Sequence, residues 1–295
     1  MSHFEPELKI LSKLTKCSRI CPLSNGGGEM TQLVGAICDG GKKVITVSDR
    51  MVSTADMTLT FEQPRMKVEV ISGKAVVLAA GTIHEPDLIR QAKESAKGKD
   101  KILEVAEELK KAFQEIREKH VTDEVLRPRG IHSFAEWHQK QRGMHDHIVM
   151  TLNEEINKYQ LELSLLLAGM DSEGHLILIG DPGMYRSFDN LCYCCLGIGQ
   201  RHSANVFAYQ RYTRDLPLND TIYIAFEAKK RAEMAGGVGQ ATDIIIIDNE
   251  GIYQIGEETI RQLEKIYDER ESKAERRGFG KEITELEIRK HKMES

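Results

Sequence analysis

Apolar residues in this chain gather first in short runs and only later at helical spacing. Gln32 to Cys38 and Lys43 to Ser48 are β-rich runs on either side of Asp39-Gly40-Gly41, a hairpin pattern. Met66 to Ile71 and Lys74 to Ala80, about Ser72-Gly73, form a second hairpin. Both are mostly apolar rather than alternating, which predicts a sheet covered on both faces. The period then changes. Pro86 to Ala96, opening on Glu85-Pro86-Asp87, predicts a helix. Ile102 to Glu118 predicts a longer one, with Leu103, Ala106, Leu109, Ala112, Phe113 and Ile116 on one stripe. Residues 119–147 lose the period at Pro128, Gly130 and Gly143, and Ile148 to Tyr159 resumes it. Strands are predicted at Leu161 to Gly169, Leu176 to Gly180 and Leu191 to Leu196. Helices follow at Arg201 to Arg211 and Asp220 to Met234. Ala241 to Ile247 and Ile252 to Ile255 then form a last hairpin about Asp248-Asn249-Glu250-Gly251.

This order predicts an α+β fold: antiparallel sheets with helices on both outer faces, accommodated by a four-layer α-β-β-α sandwich. A doubly wound parallel sheet needs strict strand–helix alternation, which is absent. No GxGxxG follows the first strand and no phosphate loop occurs; Gly197-Ile198-Gly199 has two of the glycines a dinucleotide fingerprint wants. Three segments are expected. Residues 1–30 are a propeptide, an arm or a mis-annotated start, residues 31–256 a domain with a helical insert near 119–147, and residues 257–295 a charged helical extension. Gly26-Gly27-Gly28-Glu29 before Met30 reads like a translated ribosome-binding site, and removal of Met30 would expose Thr31.

Composition narrows the function classes. The 295 residues carry a net charge of −5, which gives no nucleic-acid footprint. No apolar run approaches the ~20 residues a membrane span needs. The six cysteines read as reduced core thiols of a cytoplasmic protein. A zinc site from Cys192, Cys194 and Cys195 with Cys17 and Cys21 matches no common spacing.

Several segments together resemble the active β-subunits of proteasomes. They are Thr31-Gln32-Leu33-Val34-Gly35, Val47-Ser48-Asp49-Arg50, Lys67-Val68-Glu69-Val70 and Val77-Leu78-Ala79-Ala80-Gly81, then Leu167-Ala168-Gly169-Met170-Asp171, Gly197-Ile198-Gly199 and Gly236-Gly237 with Thr242 to Asp248. The similarity runs from Thr31 to about Gly256, within the superfamily of N-terminal nucleophile hydrolases that includes HslV. The resemblance implies the same sandwich and a threonine-type endopeptidase in a homo-oligomeric ring or stacked rings. An unfolding ATPase partner and a peptide or unfolded-protein substrate are implied, with no metal or organic cofactor. The catalytic set it implies is Thr31, Asp49, Lys67 and Gly81.

That chemistry explains those residue types. A threonine hydroxyl is a poor nucleophile without a base. An α-amino group, with a pKa near ~7.7–8.0, is a suitable one, so an N-terminal Thr31 would carry nucleophile and base together. The Lys67 ammonium would favour a neutral amine and lower the hydroxyl's pKa, and Asp49 would supply its counter-charge. Gly81, by resemblance, offers its N–H to the developing oxyanion.

For substrate, the resemblance places Ser53 and Ile83 beside an extended peptide. It puts Ala79 at the base of the first specificity pocket and Val52 on its wall, with Arg65 and Glu69 nearby. A small Ala79 implies a deep pocket tolerant of large apolar side chains.

The chain departs from the family where active subunits carry two serines and an aspartate: Ile198, Ala232 and Ala235 stand there. Glu233 is a candidate replacement for the aspartate. These departures keep two alternatives open: a catalytically silent proteasome-like scaffold, and an amidase or transpeptidase on the same fold. The insert holds His120, His132, His138, His145 and His147, read as a solvated loop that contacts neighbours or gates an entrance, or with Asp146 as a metal site. In the tail, Ile260, Leu263 and Tyr267, and again Ile283, Leu286 and Ile288, form narrow stripes expected to clasp another subunit.

Overall fold

A computed structural model describes residues 31–53, 60–64, 66–81 and 86–275. Residues 1–30, Ile83, Arg65 and the second tail stripe therefore lie outside the described residues. Strands β1 (Gln32–Cys38) and β2 (Lys43–Ser48) form the first hairpin, with Leu33 opposite Ser48 and Cys38 opposite Lys43. β3 (Met51–Ser53) and β4 (Thr60–Glu62) make a two-stranded ribbon. β5 (Val68–Ser72), β6 (Ala75–Gly81), β7 (Leu163–Met170), β8 (Gly174–Gly180) and β9 (Met184–Ser187) form one antiparallel sheet in that order. β10 (Tyr193–Gly197), β11 (Asp243–Ile247) and β12 (Ile252–Gln254) join the first hairpin in a second antiparallel sheet, ordered β10-β1-β2-β11-β12. The expected α+β class with antiparallel sheets is therefore what the chain forms. The sequence pattern passes over β9, an edge strand of four residues.

The helices are α1 (Pro86–Ser95), α2 (Ile102–Val121), α3 (Phe134–Lys140), α4 (Asp146–Lys158), α5 (Gln200–Tyr209), α6 (Leu218–Ala232) and α7 (Glu257–Glu275). Strand alternation sorts the apolar residues into separate clusters. Val77, Leu165, Leu167 and Ile177 pack with Leu88 of α1 and Leu109 and Phe113 of α2. Their strand neighbours Val76, Leu78, Leu166 and Leu176 pack instead with Leu33, Ile37, Val44 and Ile245 of the other sheet. Val34, Ile45 and Ile244 share a third cluster with Phe207 of α5 and Phe226 of α6. β1, β2 and β6 thus have the two covered faces that their unalternating sequences call for, while β5 at the sheet edge is only partly covered and leaves Val70 exposed.

Two expectations need correction. Residues 119–147 form the expected helical insert, but not the solvated loop that their histidines suggested. α2 runs through Val121, Thr122–Leu126 make a π-turn, Arg127–Arg129 a 3-10 turn, and α3 and α4 follow. Val121, Leu126, Ile131, Trp137, Leu152 and Ile156 bury a small core of their own. Elements this short, split by Pro128 and Gly130, do not sustain a readable period. One signal was available: Ser133, followed three residues on by Glu136, caps α3 by accepting the Glu136 N–H at 3.1 Å. The histidines His132, His138, His145 and His147 are exposed, His120 contacts Glu124, and no group of three metal-ligand residues converges among the described residues.

The tail stripe, expected at a subunit interface, is covered by the chain itself. Leu263 is buried in the third cluster, with Ile260 and Tyr267 packed beside it. Arg231 of α6 grips Glu271 with both terminal nitrogens, and Tyr267 meets Phe226 edge-on. The described cysteines Cys38, Cys192, Cys194 and Cys195 are buried and form no disulfide. Among the described residues no helix is long and apolar enough to cross a membrane.

Candidate active site

Antiparallel pairing of β1 and β2 brings the start of one beside the end of the other. Thr31 directly precedes β1 and Asp49 directly follows β2. The Asp49 N–H donates to the Gln32 carbonyl at 3.2 Å, and the Gln32 N–H returns to Asp49 Oδ1 at 3.2 Å. Thr31 is fixed from its other side: its carbonyl accepts the Ile198 N–H at 3.1 Å. Gly197 makes that approach possible. Its φ is +97°, and a Cβ there would lie 1.7 Å from the Thr31 carbonyl oxygen.

Lys67 enters from the other sheet, one residue before β5. Its Nζ donates to Asp49 Oδ1 at 2.7 Å and also to Thr31 Oγ1. The three side chains form one buried chain of contacts. Thr31 is 5% exposed, Asp49 has no exposure, and the Lys67 side chain retains 8%. Asp49 Oδ2 accepts the Gly239 N–H at 2.8 Å. The carboxylate therefore has two backbone donors and one ammonium, which is what a buried anion requires. Its neighbour Arg50 is engaged elsewhere, bidentate on Asp243 at 2.8 and 2.6 Å. Burial pushes the Lys67 ammonium below the ordinary lysine range, opposed by the Asp49 carboxylate and, further off, by Glu62.

Gly81 ends β6, on the hairpin that begins just after Lys67. Its φ is +112°, and a Cβ there would lie 1.9 Å from the Glu162 carbonyl oxygen, so the position admits only glycine. Ala79 is half-buried and packs on the helix-covered side of its strand. Val52 and Ser53 lie in β3, paired with Phe61 and Thr60. The structure thus joins Thr31, Asp49 and Lys67 in direct contact and sets Gly81 at the end of β6, paired with Leu163. Compared with known proteins, the chain matches no protein-family model and no curated protein.

Around this set lies a polar frame that the sequence reading missed. Gln32 Nε2 donates to Ser203 Oγ at 2.9 Å, and Ser203 Oγ donates to the Ala228 carbonyl at 2.8 Å. Lys229 donates to Glu233 at 2.6 Å and to the Gln240 carbonyl at 2.7 Å. Glu233, considered as a stand-in for the family's aspartate, is instead held between Lys229 and Lys230. Ala232 fills the space against Gly199, where a Cβ would meet its methyl at 2.5 Å. The signals were polar residues in apolar surroundings: Gln32 opening a wholly buried strand, and Lys229 on the stripe of Ala225, Ala228 and Ala232.

Proposed function

We propose that the chain is a threonine-type peptidase of the N-terminal nucleophile class, with Thr31 as nucleophile, on a four-layer α-β-β-α sandwich. The single observation that carries this reading is the buried relay from Thr31 Oγ1 through Lys67 Nζ to Asp49 Oδ1. The layer order is supported by the three clusters, one between the sheets and one beneath each helical group.

On this reading, loss of residues 1–30, or of Met30 alone, frees the Thr31 amine. The amine accepts the hydroxyl proton as Oγ1 attacks a peptide carbonyl, and the Gly81 N–H faces the oxyanion. The amine then protonates the leaving amide nitrogen. Water, activated in the same way, hydrolyses the acyl ester and regenerates Thr31. Lys67, depressed by burial yet anchored on Asp49, favours the neutral amine and stabilises negative charge at Oγ1. By resemblance, Val52, Ser53, Ala79 and Ile83 belong to the peptide path. A cytoplasmic homo-oligomeric ring fed by an unfolding ATPase belongs to the same proposal, as does an amidase or transpeptidase outcome if another amine resolves the acyl-enzyme.

Ile198, Ala232 and Ala235 favour the second reading, a silent scaffold. Intact mass and peptide epoxyketone labelling separate the two. A native N-terminus at Thr31, with an adduct that Thr31→Ala abolishes, is the enzyme's signature. A native chain retaining residues 1–30 and taking no label is the scaffold's.

A further inference from the structure

Lys229 is a buried charge that the mechanism above does not use. It stands on the inner stripe of α6, and its side chain has no exposed surface. Burial pushes its ammonium below the ordinary range, with Glu233 first and Asp49 last among the charges around it; Lys230 adds to the downward push. Glu233 does not need it, because Lys230 Nζ already lies 2.8 Å from the other Glu233 oxygen. An apolar residue of similar volume would fill this place without desolvating a cation. What such a residue could not do is hold the Gln240 carbonyl, 2.7 Å from Nζ. Gln240 directly follows Gly239, whose N–H rests on Asp49 Oδ2 at 2.8 Å. On its far side the same loop is tied by Glu62, which accepts the Ala241 N–H at 2.9 Å.

We infer that Lys229 is a positioning residue for the proposed nucleophile: by holding the Gln240 carbonyl it keeps the Gly239 N–H on Asp49, and Asp49 in turn aims Lys67 at Thr31. The inference rests on the peptidase reading and deepens it. It assigns to a lysine and a loop backbone the supporting role for which the side chains of Ile198, Ala232 and Ala235 have no polar atoms.

The test uses the full-length protein as purified, compared with Lys229→Met and with Lys229→Met/Glu233→Gln, which removes both charges. Hydrogen exchange by mass spectrometry follows Gly239 and, as an internal reference, Ile245 of β11. A peptide epoxyketone reports Thr31 reactivity. The expected result is Gly239 exchange faster by about tenfold in either variant with Ile245 unchanged, and Thr31 modification slower by about tenfold. Unchanged Gly239 protection in a folded variant overturns the inference. So does acceleration spread equally over Gly239 and Ile245, or failure of both variants to fold, since either assigns Lys229 to the fold at large. Unchanged labelling with a loosened Gly239 also overturns it. If the wild-type chain bearing an N-terminal Thr31 takes no label, the peptidase reading fails, and Gly239 exchange alone decides whether the clamp exists.

Discussion

Lys67 and Asp49 come from different sheets and meet 2.7 Å apart, with Asp49 wholly buried. The pair therefore ties the end of β2 to the start of β5, beside the start of β1 where Thr31 stands. Asp49→Asn removes the counter-charge of a buried ammonium, and the expected loss is about 3 kcal/mol, read by urea denaturation. Lys67→Met leaves Asp49 with the Gln32 and Gly239 N–H groups, so it should destabilise less. Both changes should abolish Thr31 labelling. Equal stability losses would mean that Asp49 depends on Lys67 more than its backbone donors indicate.

Gly197→Ala places a methyl on a residue with φ of +97° and drives it into the Thr31 carbonyl. Left-handed strain and the clash together should lower stability by about 3 kcal/mol. The displaced Thr31 should also lose reactivity. Gly236→Ala, where a Cβ meets nothing within 4 Å, is the control.

His175 is held by two carboxylates, with Nδ1 at 2.8 Å from Asp189 and Nε2 at 3.0 Å from Asp171. The Asp189 contact, against the effect of burial and with Asp171 adding to it, raises its pKa from 6.5 to about 9. A raised folded-state value means that the stabilisation is complete below 6.5 and is lost as pH rises through about 9. On the acid side Asp171 is held at about 2: burial opposes this, but the Ile102 N–H and His175 outweigh it, so its share fades only as pH falls from 3.8 toward that value. Melting temperatures between pH 6 and 10 should therefore decline for the wild type, and the His175→Ala profile should be flatter. A wild-type decline that His175→Ala leaves unchanged would place the titrating group elsewhere.

Leu263→Ala should cost about 2 kcal/mol, because the side chain is buried against α6 rather than solvated. Its elution volume on size exclusion should match that of the wild type. A change of oligomeric state would restore this stripe to an intersubunit role.

The strands were legible as short apolar runs bounded by turn residues, but not which layer each residue faces: Leu33 and Ile37 go one way, Val34 and Ala36 the other. The insert's separate elements were not, because each is short and its core gathers Val121, Leu126, Trp137 and Leu152 from different ones. Thr31, Asp49 and Lys67 could be named by resemblance, but their contact is a product of two sheets meeting and has no local signature. Lys229 and Gly239 escaped for the same reason. Lys229 stands out only as a lysine on an apolar stripe and Gly239 not at all, and both acquire meaning only where α6 and the loop after it reach Asp49.

Thr31 has both its backbone oxygen and its hydroxyl engaged by partners that lie later in the chain, at Ile198 and Lys67. Scission of the bond before it would leave those two anchors untouched. For a peptidase of the kind proposed, maturation then amounts to subtraction: the blade is ground and mounted first, and taking off the sheath is the last step.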